Sequence, residues 1–450
     1  MDTEPPKARV LVSDARRGAA VASIRALARS GYNVIAADSD PRSPGLASRY
    51  ASQRVVYACP KKNPRQFVDD ILAAVERYQI DLILPVTEQV VLPLEAERER
   101  MEKACLVPWA PVESVATVRD KNLTFQLAEK LHVPYPRTRL VHTVDEALNA
   151  SAGLGWPLVL KPKSSHTLDQ SDQVRVWSVD YARDDEDLRE KMAAFEGKCP
   201  VLLQEYFQGA GVGVEVLVHE GKPICAFQHR RLREVPLTGG ASSLRRSEPL
   251  DPDLYAHTLA LMQALNWTGL AMAEFKQNEQ GESRLMEING RMWGSLPVAV
   301  AAGVNFPVRF CELVLHGPRA KSHPVSTDYQ IGVHVQNFQK ELSWIIKVLR
   351  GSTNHAFLKL PRRREALRAI VDLLNPTYRF DILSLRDPMP GVKIFSNLCR
   401  DTLFALASRV GLSIRRRATT DHEAKTSSAV DRPRPPRLQR RPHHSESRVE

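Results

Sequence analysis

The sequence predicts a mixed α/β and α+β protein, in which a parallel-sheet domain is followed by a region of antiparallel strands. Residues 9–37 alternate strand, helix and strand, which is typical of a parallel sheet covered by helices. Within residues 270–289, two predicted strands, Leu270–Gln277 and Ser283–Asn289, flank a polar turn, which is typical of paired antiparallel strands. The chain has 450 residues, 43% hydrophobic and 26% charged, and this length allows two or three domains with separate cores.

Composition argues against several classes of protein. No run of about 18 apolar residues occurs, so we expect no membrane-spanning helix. The first residues lack the apolar segment of a secretion signal, so we expect none. The six cysteines are scattered and form no C-x-x-C pair, which favours a reducing, cytoplasmic location.

The first region is predicted to be a Rossmann-like domain. Its strands and helices are expected at Arg9–Ser13, Ala19–Ser30, Val34–Ala37, Pro64–Arg77 and Leu82–Pro85. A dinucleotide site would need G-x-G-x-x-G after the first strand, and this turn contains only Gly18, which argues against a nicotinamide cofactor. Glu88 follows a buried strand at the sheet edge where such domains bind ligands. It is a candidate substrate contact or the acidic first residue of a helix.

Polar side chains interrupt the apolar strands of residues 270–289. Because side chains alternate along a strand, Glu287, Asn289 and Arg291 are predicted to share one face, with Glu274 beside Glu287 on the neighbouring strand. Oxygen ligands of this kind suit Mg²⁺ that also binds substrate phosphates, and an arginine beside it suits a phosphate or carboxylate. The alternative is a solvated hairpin with a charged outer face, but the apolar residues flanking Glu287 favour a site.

Five motifs occur in an order that resembles the ATP-grasp superfamily, of the carboxylate–amine or carboxylate–thiol ligase type. They are D-K-N-L-T-F-Q-L-A-E-K-L-H-V-P-Y-P-R-T from Asp120, P-L-V-L-K-P from Pro157, L-L-Q-E-Y-F-Q-G from Leu202, A-M-A-E-F from Ala271 and M-E-I-N-G-R-M-W-G-S from Met286. The resemblance covers about Arg9 to Gly317 and includes the Rossmann-like domain that precedes the grasp domains in this superfamily.

The resemblance implies two α+β subdomains that clasp ATP between them. We therefore expect a Rossmann-like pre-ATP-grasp domain at residues 1–110 and an ATP-grasp domain at residues 111–325, with its lid subdomain at about residues 135–205. A mainly helical C-terminal extension is expected at residues 326–412, and a disordered basic tail at residues 413–450.

The resemblance also implies which residues bind the nucleotide. Lys121 and Lys161 match the lysines that contact the phosphates of ATP. Gln204, Glu205 and Phe207 match the hinge that reads adenine, partly through backbone groups. A lysine that ends a buried strand, as Lys161 does, can also be a surface residue with a buried stem.

The metal ligands and the catalytic arginine are assigned in the same way. Glu274, Glu287 and Asn289 match the ligands of Mg²⁺ or Mn²⁺, and Arg291 matches the arginine that steadies the reacting carboxylate. Glu215 matches a position that either reaches the ribose or supports the site.

The sequence departs from the family pattern in the phosphate loop. That loop is normally rich in glycine, because bare backbone N–H groups wrap the phosphates. Here residues 164–172 contain no glycine, and hydroxyls of Ser164, Ser165 and Thr167 would have to substitute. At the hinge, Gln204 stands where many relatives have glutamate.

Two further segments are candidates for the substrate site. The segment Gln228–Ser243 is rich in arginine and glycine, and it is either a solvated loop or, as we prefer, an anion-binding lid over the triphosphate and acceptor, with Arg231 as a catalytic candidate. Glycines at 209, 211 and 213 are expected to form a flexible joint before a strand. Trp293, with Gly294 and Ser295, lines the substrate pocket or belongs to the core.

The predicted activity is ATP-dependent ligation of a small-molecule carboxylate to an amine or similar acceptor, with ADP release. Biotin-carboxylase-like activation of bicarbonate is the first alternative, although no biotin-carrier segment is evident. A catalytically silent ATP-binding regulatory module is the second, and the glycine-free loop favours it.

The C-terminal region is basic. Helices are expected at Leu342–Leu349, Arg362–Leu374 and Lys393–Val410, after a strand at Asp328–Val335. Residues 413–450 contain ten Lys and Arg against five Asp and Glu. We expect no nucleic-acid partner. The apolar side of the first helix is expected to pack on the body of the protein, with peripheral contact to an anionic membrane as the alternative.

Overall fold

A computed structural model of the chain describes residues 7–163, 166–168, 174–318, 327–351 and 361–402, with backbone alone at residues 166–168 and 174–176. The chain divides into two compact units, Met1–Ile394 and Phe395–Glu450. The second unit is described only over residues 395–402, which are helical. The predicted basic tail lies outside the described residues.

The N-terminal part is the predicted Rossmann-like domain. Its elements are β1 (Arg9–Val12), α1 (Gly18–Arg29), β2 (Asn33–Asp38), β3 (Gln53–Val56), α2 (Pro64–Tyr78), β4 (Leu82–Leu84), α3 (Glu88–Ala96) and α4 (Arg98–Ala104). The four strands are parallel in the order β3-β2-β1-β4. Val10 and Val12 belong to the same apolar cluster as residues of α1, whereas Leu11 belongs to that of α2, so both faces of the sheet are buried.

The next part contains a small antiparallel sheet. The elements that lead through it are α5 (Val112–Arg119), α6 (Lys121–Lys130), β5 (Thr138–Val141), α7 (Val144–Ser151), β6 (Leu158–Pro162), β7 (His166–Leu168), β8 (Val174–Val176), β9 (Asp180–Ala182), α8 (Asp185–Ala193) and β10 (Val201–Glu205). The sheet order is β5-β10-β6-β9, and β7 pairs separately with β8. This sheet, with α7 and α8 packed on one face, falls within the predicted lid subdomain.

A seven-stranded sheet forms the centre of the first unit. Its remaining elements are β11 (Ala210–His219), β12 (Lys222–Val235), β13 (Ala241–Ser247), α9 (Pro252–Ala264), β14 (Gly269–Gln277), β15 (Ser283–Asn289), α10 (Leu296–Ala302), α11 (Phe306–His316), β16 (His334–Gln336), α12 (Phe338–Arg350), α13 (Arg363–Leu373) and β17 (Arg379–Phe380). The strand order is β15-β14-β11-β12-β13-β16-β17. The region predicted as a helical extension therefore contributes two edge strands as well as helices.

One face of this sheet is apolar and the other is polar. Val212, Val214 and Val216 of β11 pack in the same cluster as Leu261 of α9. Because side chains alternate along a strand, Glu215 and its same-face neighbours point to the opposite side. This alternation is what places the site residues on one surface.

Three predicted elements of this sheet are corrected by the structure. The glycine joint is not a joint, because Gly211 and Gly213 lie inside strand β11. The arginine-rich segment Gln228–Ser243 is not a loop, because most of it forms β12 and β13. The strand expected at Asp328–Val335 is shorter and later, at His334–Gln336.

Helices α10 to α13 cover the sheet and its edge. No single helix within the described ranges is long and apolar enough to cross a membrane; α10 and α11 pass that test only as a pair bent by 93°. Trp344, Ile345 and Val348 of α12 are buried against Ala366 and Ala369 of α13, which confirms the predicted packing of this apolar side.

Candidate active site

Two carboxylates face each other at the centre of the site. Glu274 of β14 is the register partner of Glu287 of β15, as the sequence predicts. The Asn289 amide donates to Oε1 of Glu287 at 3.2 Å, and the Lys121 ammonium lies 4.0 Å from Oε2 of Glu287. Hard oxygen ligands and a nearby lysine therefore share one surface.

The two carboxyl groups are in different electrostatic states. Burial raises the pKa of Glu274, and the neighbouring Glu287 adds to this rise against the opposing effect of Arg231. Burial would also raise the pKa of Glu287, but Lys121 and Lys161 outweigh it and hold that pKa below its usual value. A divalent cation between the two groups would favour the ionised form of both.

Arg231 reaches Glu274 across an intervening strand. Its Nη1 and Nη2 donate to Oε1 and Oε2 of Glu274 at 2.7 and 2.5 Å. Strand β11 lies between them, and its glycines leave the necessary space: a Cβ at Gly211 would be 2.7 Å from Cδ of Arg231, and one at Gly213 would be 2.5 Å from Cε1 of His229. These glycines are therefore required by close approach and not by flexibility.

The two phosphate-binding candidates approach the acidic pair from other elements. Asp120 caps α6 by accepting from two backbone N–H groups, which fixes Lys121 at the helix start. Lys121 is buried, and its backbone N–H donates to the carbonyl of Lys163 at 3.1 Å, next to the end of β6. Burial lowers the pKa of Lys161 to about 8, although Glu287 opposes this effect.

Arg291 lies just after β15 and lines a cavity of about 270 Å³ together with Lys121, Glu287 and Asn289. Its Nη1 donates to the carbonyl of Met292 at 2.8 Å. Glu88 lines the same cavity and is also the first residue of α3, which confirms its predicted position at a helix start; the predicted contact with substrate stays a prediction. Lys161 is not among the residues that line this cavity; it approaches the site through its interaction with Glu287.

The hinge candidates lie away from the acidic pair, at the end of β10. The amide of Gln204 donates to the Thr138 hydroxyl at 2.8 Å. The carboxylate of Glu205 accepts from the backbone and side chain of Arg137 at 2.9 and 2.5 Å. Phe207 lies under the guanidinium of Arg284 at 5.2 Å. Because the side chains of Gln204 and Glu205 have partners within the protein, an adenine base bound at this hinge would contact mainly backbone groups.

Glu215 is fully buried beside a histidine that sequence reasoning missed. Its Oε1 lies 2.6 Å from Nδ1 of His229, and both side chains have 0% exposure. Burial raises the pKa of Glu215 and lowers the pKa of His229, with Arg231 and Arg245 opposing a charge on the imidazole. This location favours the supporting role of Glu215 over a contact with ribose.

The segment predicted as an anion-binding lid has a different role. Arg230 pairs with Glu248 at 2.8 Å, Arg231 pairs with Glu274, and Arg233 pairs with Glu341 at 2.5 Å and also with Asp372. These arginines are held within the sheet and between sheet and helices, so the segment does not form a lid.

For Trp293, the structure agrees with one of the two predicted alternatives. Trp293 is buried with its ring against Phe306 at 5.2 Å, so it belongs to the core. A Cβ added at Gly294 would meet no atom within 4 Å, so there is open space at that position. Except for the backbone of residues 166–168, the predicted phosphate loop lies outside the described residues.

Lys276 is a further site residue that the sequence analysis did not single out. It follows Glu274 by two residues and therefore lies on the same face of β14. Burial lowers the pKa of Lys276, and the acidic residues that oppose this are Glu234 and Glu274. Because side chains alternate along a strand, the spacing of two residues from Glu274 could have identified Lys276 from the sequence.

Comparison with known proteins shows which proteins the region around this site is similar to. A family model described as ATP-grasp in the biosynthetic pathway with Ter operon matches residues 198–340, which contain the acidic pair, Arg231 and Arg291. The carbamoyl phosphate synthase large chain of Xylella fastidiosa is 26% identical over 293 residues, which are 62% of this chain and 26% of that protein. The resemblance to the ATP-grasp superfamily that the motifs predict is confirmed by these matches.

Solved ATP-grasp structures share the fold. The biotin carboxylase of Campylobacter jejuni, in a complex described as β-γ-ATP, aligns with a TM-score of 0.57 at 17% identity, covering 72% of this chain and 74% of that chain. The L-amino acid ligase of Bacillus licheniformis aligns with a TM-score of 0.55 at 14% identity, covering 74% and 79%. The predicted ATP-grasp fold class is confirmed. The chain spans about a quarter of the length of the carbamoyl phosphate synthase large chain that it matches.

Proposed function

We propose that the protein is an ATP-dependent, ADP-forming ligase that activates a small organic carboxylate as an acyl phosphate for attack by an amine or similar nucleophile. The observation that carries this proposal is the register pairing of Glu274 with Glu287, next to Asn289, Lys121 and Arg291. Two carboxylates, an amide, a lysine and an arginine are the set of groups that phosphoryl transfer to a carboxylate requires.

The nucleotide is proposed to bind between the small sheet and the central sheet. Lys121 and Lys161 would contact its phosphates. Both lysines lie on elements outside the central sheet, and both act electrostatically on Glu287. Gln204, Glu205 and Phe207 would form the adenine end, mainly through backbone groups, because the side chains of Gln204 and Glu205 are engaged internally.

Glu274, Glu287 and Asn289 fit a Mg²⁺ or Mn²⁺ ion, because all three present oxygen atoms from one face of β14 and β15. Bound there, the ion would neutralise charge on the phosphates. Arg231 would orient the Glu274 carboxylate, as a hydrogen-bonding partner outside the ligand set does for metal ligands generally.

Arg291 is proposed to hold the reacting carboxylate in the cavity that it shares with Lys121. An oxygen of that carboxylate attacks the γ-phosphorus, and the bond between this phosphorus and the bridging oxygen of ADP breaks. The amine then attacks the acyl carbon, phosphate leaves, and the amine loses a proton. Fixed positive charge from Lys121, Lys161 and Arg291 stabilises the oxygens that gain charge during transfer.

The names of the similar proteins favour carboxylate chemistry. An L-amino acid ligase and a biotin carboxylase share the fold, and a carbamoyl phosphate synthase chain shares sequence. Because a biotin carboxylase shares the fold, activation of bicarbonate is the second candidate function. A catalytically silent module is disfavoured, because the acidic pair, Asn289 and Arg291 are all present and close together.

The deciding experiment measures ADP release by the full chain with MgATP across amino acids, other small carboxylates and bicarbonate, each with and without an amine. Release that depends on one organic acid supports the ligase. Dependence on bicarbonate alone supports the second candidate and contradicts the first. Calorimetric binding of ATP without ADP release under any condition contradicts both and supports the silent module.

We also propose that the protein works in the cytoplasm, on small molecules and not on nucleic acid. The six cysteines carry free thiols, which suits a reducing compartment. The arginines of β12 are neutralised by internal acids and are therefore poor contacts for a phosphate backbone.

Helix α13 supports a peripheral contact with an anionic membrane, which we propose as a second property. Leu367, Val371 and Leu374 recur at helix spacing and are 61%, 66% and 81% exposed, and Arg363 and Arg364 are exposed on the same helix. An apolar stripe beside arginines suits the surface of an anionic bilayer. Sedimentation of the full chain with phosphatidylserine vesicles at low salt should be abolished by the double substitution Leu367→Glu and Val371→Glu; unchanged sedimentation of this variant would contradict the contact.

A further inference from the structure

A group of cationic side chains lies next to the proposed ligase site and has no part in the phosphoryl transfer described above. Arg245 of β13 is the register partner of Arg231 on the polar face of the central sheet. Lys340 lies in the first turn of α12, and Arg17 immediately precedes α1. Three separate elements therefore bring positive charge to one place.

Asp381 holds these elements together. Its carboxylate pairs with Arg245 and accepts from the Asn337 amide, at the start of α12, at 3.0 Å. It also lies against the first residue of α1, since a Cβ at Gly18 would be 2.9 Å from Cβ of Asp381. The starts of α1 and α12 and the strand carrying Arg245 thus meet around this one acid.

Two cations of the group, Lys340 and Arg17, differ from the others in their pairing. Arg231 is matched by Glu274 and Glu234, and Arg245 by Asp381, while Glu341 and Glu215 also act on Arg245 and Asp14 acts on Arg17. Within the described ranges, Lys340 and Arg17 have no ion pair. The charged groups that bear on Lys340 are Arg245, Arg17 and Arg231, and burial together with these cations lowers its pKa to about 8.

Buried polar atoms in need of a partner lie on the same face. Nε of Arg245 and Oγ of Ser243 have no hydrogen-bond partner among the described residues, and both side chains are at most 1% exposed. Alternation places Ser243 on the same side of β13 as Arg245. Buried polar atoms of this kind are normally satisfied, so these two on neighbouring side chains of one strand face indicate a place for a bound oxyanion.

We propose that Arg245, Lys340 and Arg17 bind a second anionic group of the substrate acid, so that the preferred substrate is a dianion with a carboxylate or phosphate in addition to the reacting carboxylate. This inference rests on the proposed ligase function. The reacting carboxylate would lie at Arg291, and the second oxyanion would lie farther along the same face of the sheet, towards α12. Guanidinium and ammonium groups suit both carboxylate and phosphate oxygens.

The first test uses binding alone. Titration calorimetry with the full chain and MgADP would measure the affinity for succinate and for inorganic phosphate. In Lys340→Gln the charge is lost, and the affinities for succinate and for phosphate should both fall by about 10- to 100-fold. This is the range expected for one charge-assisted contact. Lys347→Gln is the matched control, because Lys347 is exposed on the same helix and should bind as the wild type does. Equal affinity of Lys340→Gln and wild type for both anions would overturn the proposal.

The second test uses turnover and separates the two claims. Wild type should favour succinate over butyrate in kcat/KM, and Lys340→Gln should reduce this ratio by about tenfold. ADP release with no preference for the diacid, or with a preference that Lys340→Gln retains, would overturn the anion site while leaving the ligase function in place. Anion binding that depends on Lys340, without ADP release for any acid, would support the anion site and contradict the ligase function.

Discussion

Arg231 of β12 donates to both carboxylate oxygens of Glu274 on β14, at 2.7 and 2.5 Å, across the strand that separates them. The arginine side chain is 9% exposed and the glutamate 17%, so neither charge is well solvated. A forked guanidinium fixes the plane of a carboxylate, and here it fixes a proposed metal ligand before any nucleotide binds.

Removing one member of this pair should be costly for stability. Arg231→Met leaves the Glu274 carboxylate buried without its partner, and we expect the free energy of unfolding to fall by about 3 kcal/mol. The double variant Arg231→Met with Glu274→Met should lose less than the two single changes combined. Urea denaturation of the four proteins measures this. Additive losses would show that the two side chains do not interact.

The glycines under this pair should tolerate no side chain. Gly213→Ala places a Cβ at 2.5 Å from the His229 ring, and we expect overpacking to cost about 1–3 kcal/mol and to disturb Arg231. Gly153→Ala is the control, because open space surrounds that position. Thermal denaturation of both variants checks the difference. A Gly213→Ala protein as stable as Gly153→Ala would contradict the close-approach account.

The dependence of ADP release on a divalent ion should require Glu287. Glu287→Gln removes one of two proposed anionic ligands, and we expect the Mg²⁺ concentration for half-maximal ADP release to rise by about tenfold or more. Glu279→Gln, in the exposed turn between β14 and β15, is the control and should leave that concentration unchanged. ADP release titrated with Mg²⁺ measures both. An unchanged requirement in Glu287→Gln would remove Glu287 from the ligand set.

Anion binding at Lys340 should depend on pH. With a pKa of about 8, lowered by burial and by Arg245, Arg17 and Arg231, Lys340 is charged below pH 8 and loses its charge above it. Affinity for succinate, which remains a dianion throughout, should therefore fall as the pH rises through 8. Calorimetry across this range should show no such fall for Lys340→Gln. A pH-independent affinity in the wild type would contradict the assignment.

The two strands that carry the acidic residues could be predicted from the sequence alone. The strands were expected at Leu270–Gln277 and Ser283–Asn289 and are found at Gly269–Gln277 and Ser283–Asn289. The expected position of Glu274 beside Glu287 is confirmed. The strands follow from the local pattern, but this pairing does not, because the register at the turn, Gln277 with Ser283, would place Glu274 opposite Met286. A register shift between Glu274 and Phe275 brings Glu287 opposite Glu274 instead.

Features that depend on distant residues were not predictable in this way. Glycine in a sequence suggests flexibility, whereas Gly211 and Gly213 are needed for side chains of β12 that cross β11. From the sequence alone, Arg233 would be interpreted as a solvated charge, but its partner Glu341 lies 108 positions later. The grouping of Arg17, Arg245 and Lys340 likewise arises only when three remote elements meet.

The most direct test of the proposed ligase compares Arg291→Ala with wild type in single-turnover ADP release and in calorimetric MgATP binding. Arg291 is proposed to steady the acid and not the nucleotide. ADP release should therefore fall by about 10³-fold or more while MgATP affinity is preserved. Near-normal ADP release by Arg291→Ala would contradict the proposed activation of a carboxylate at this site.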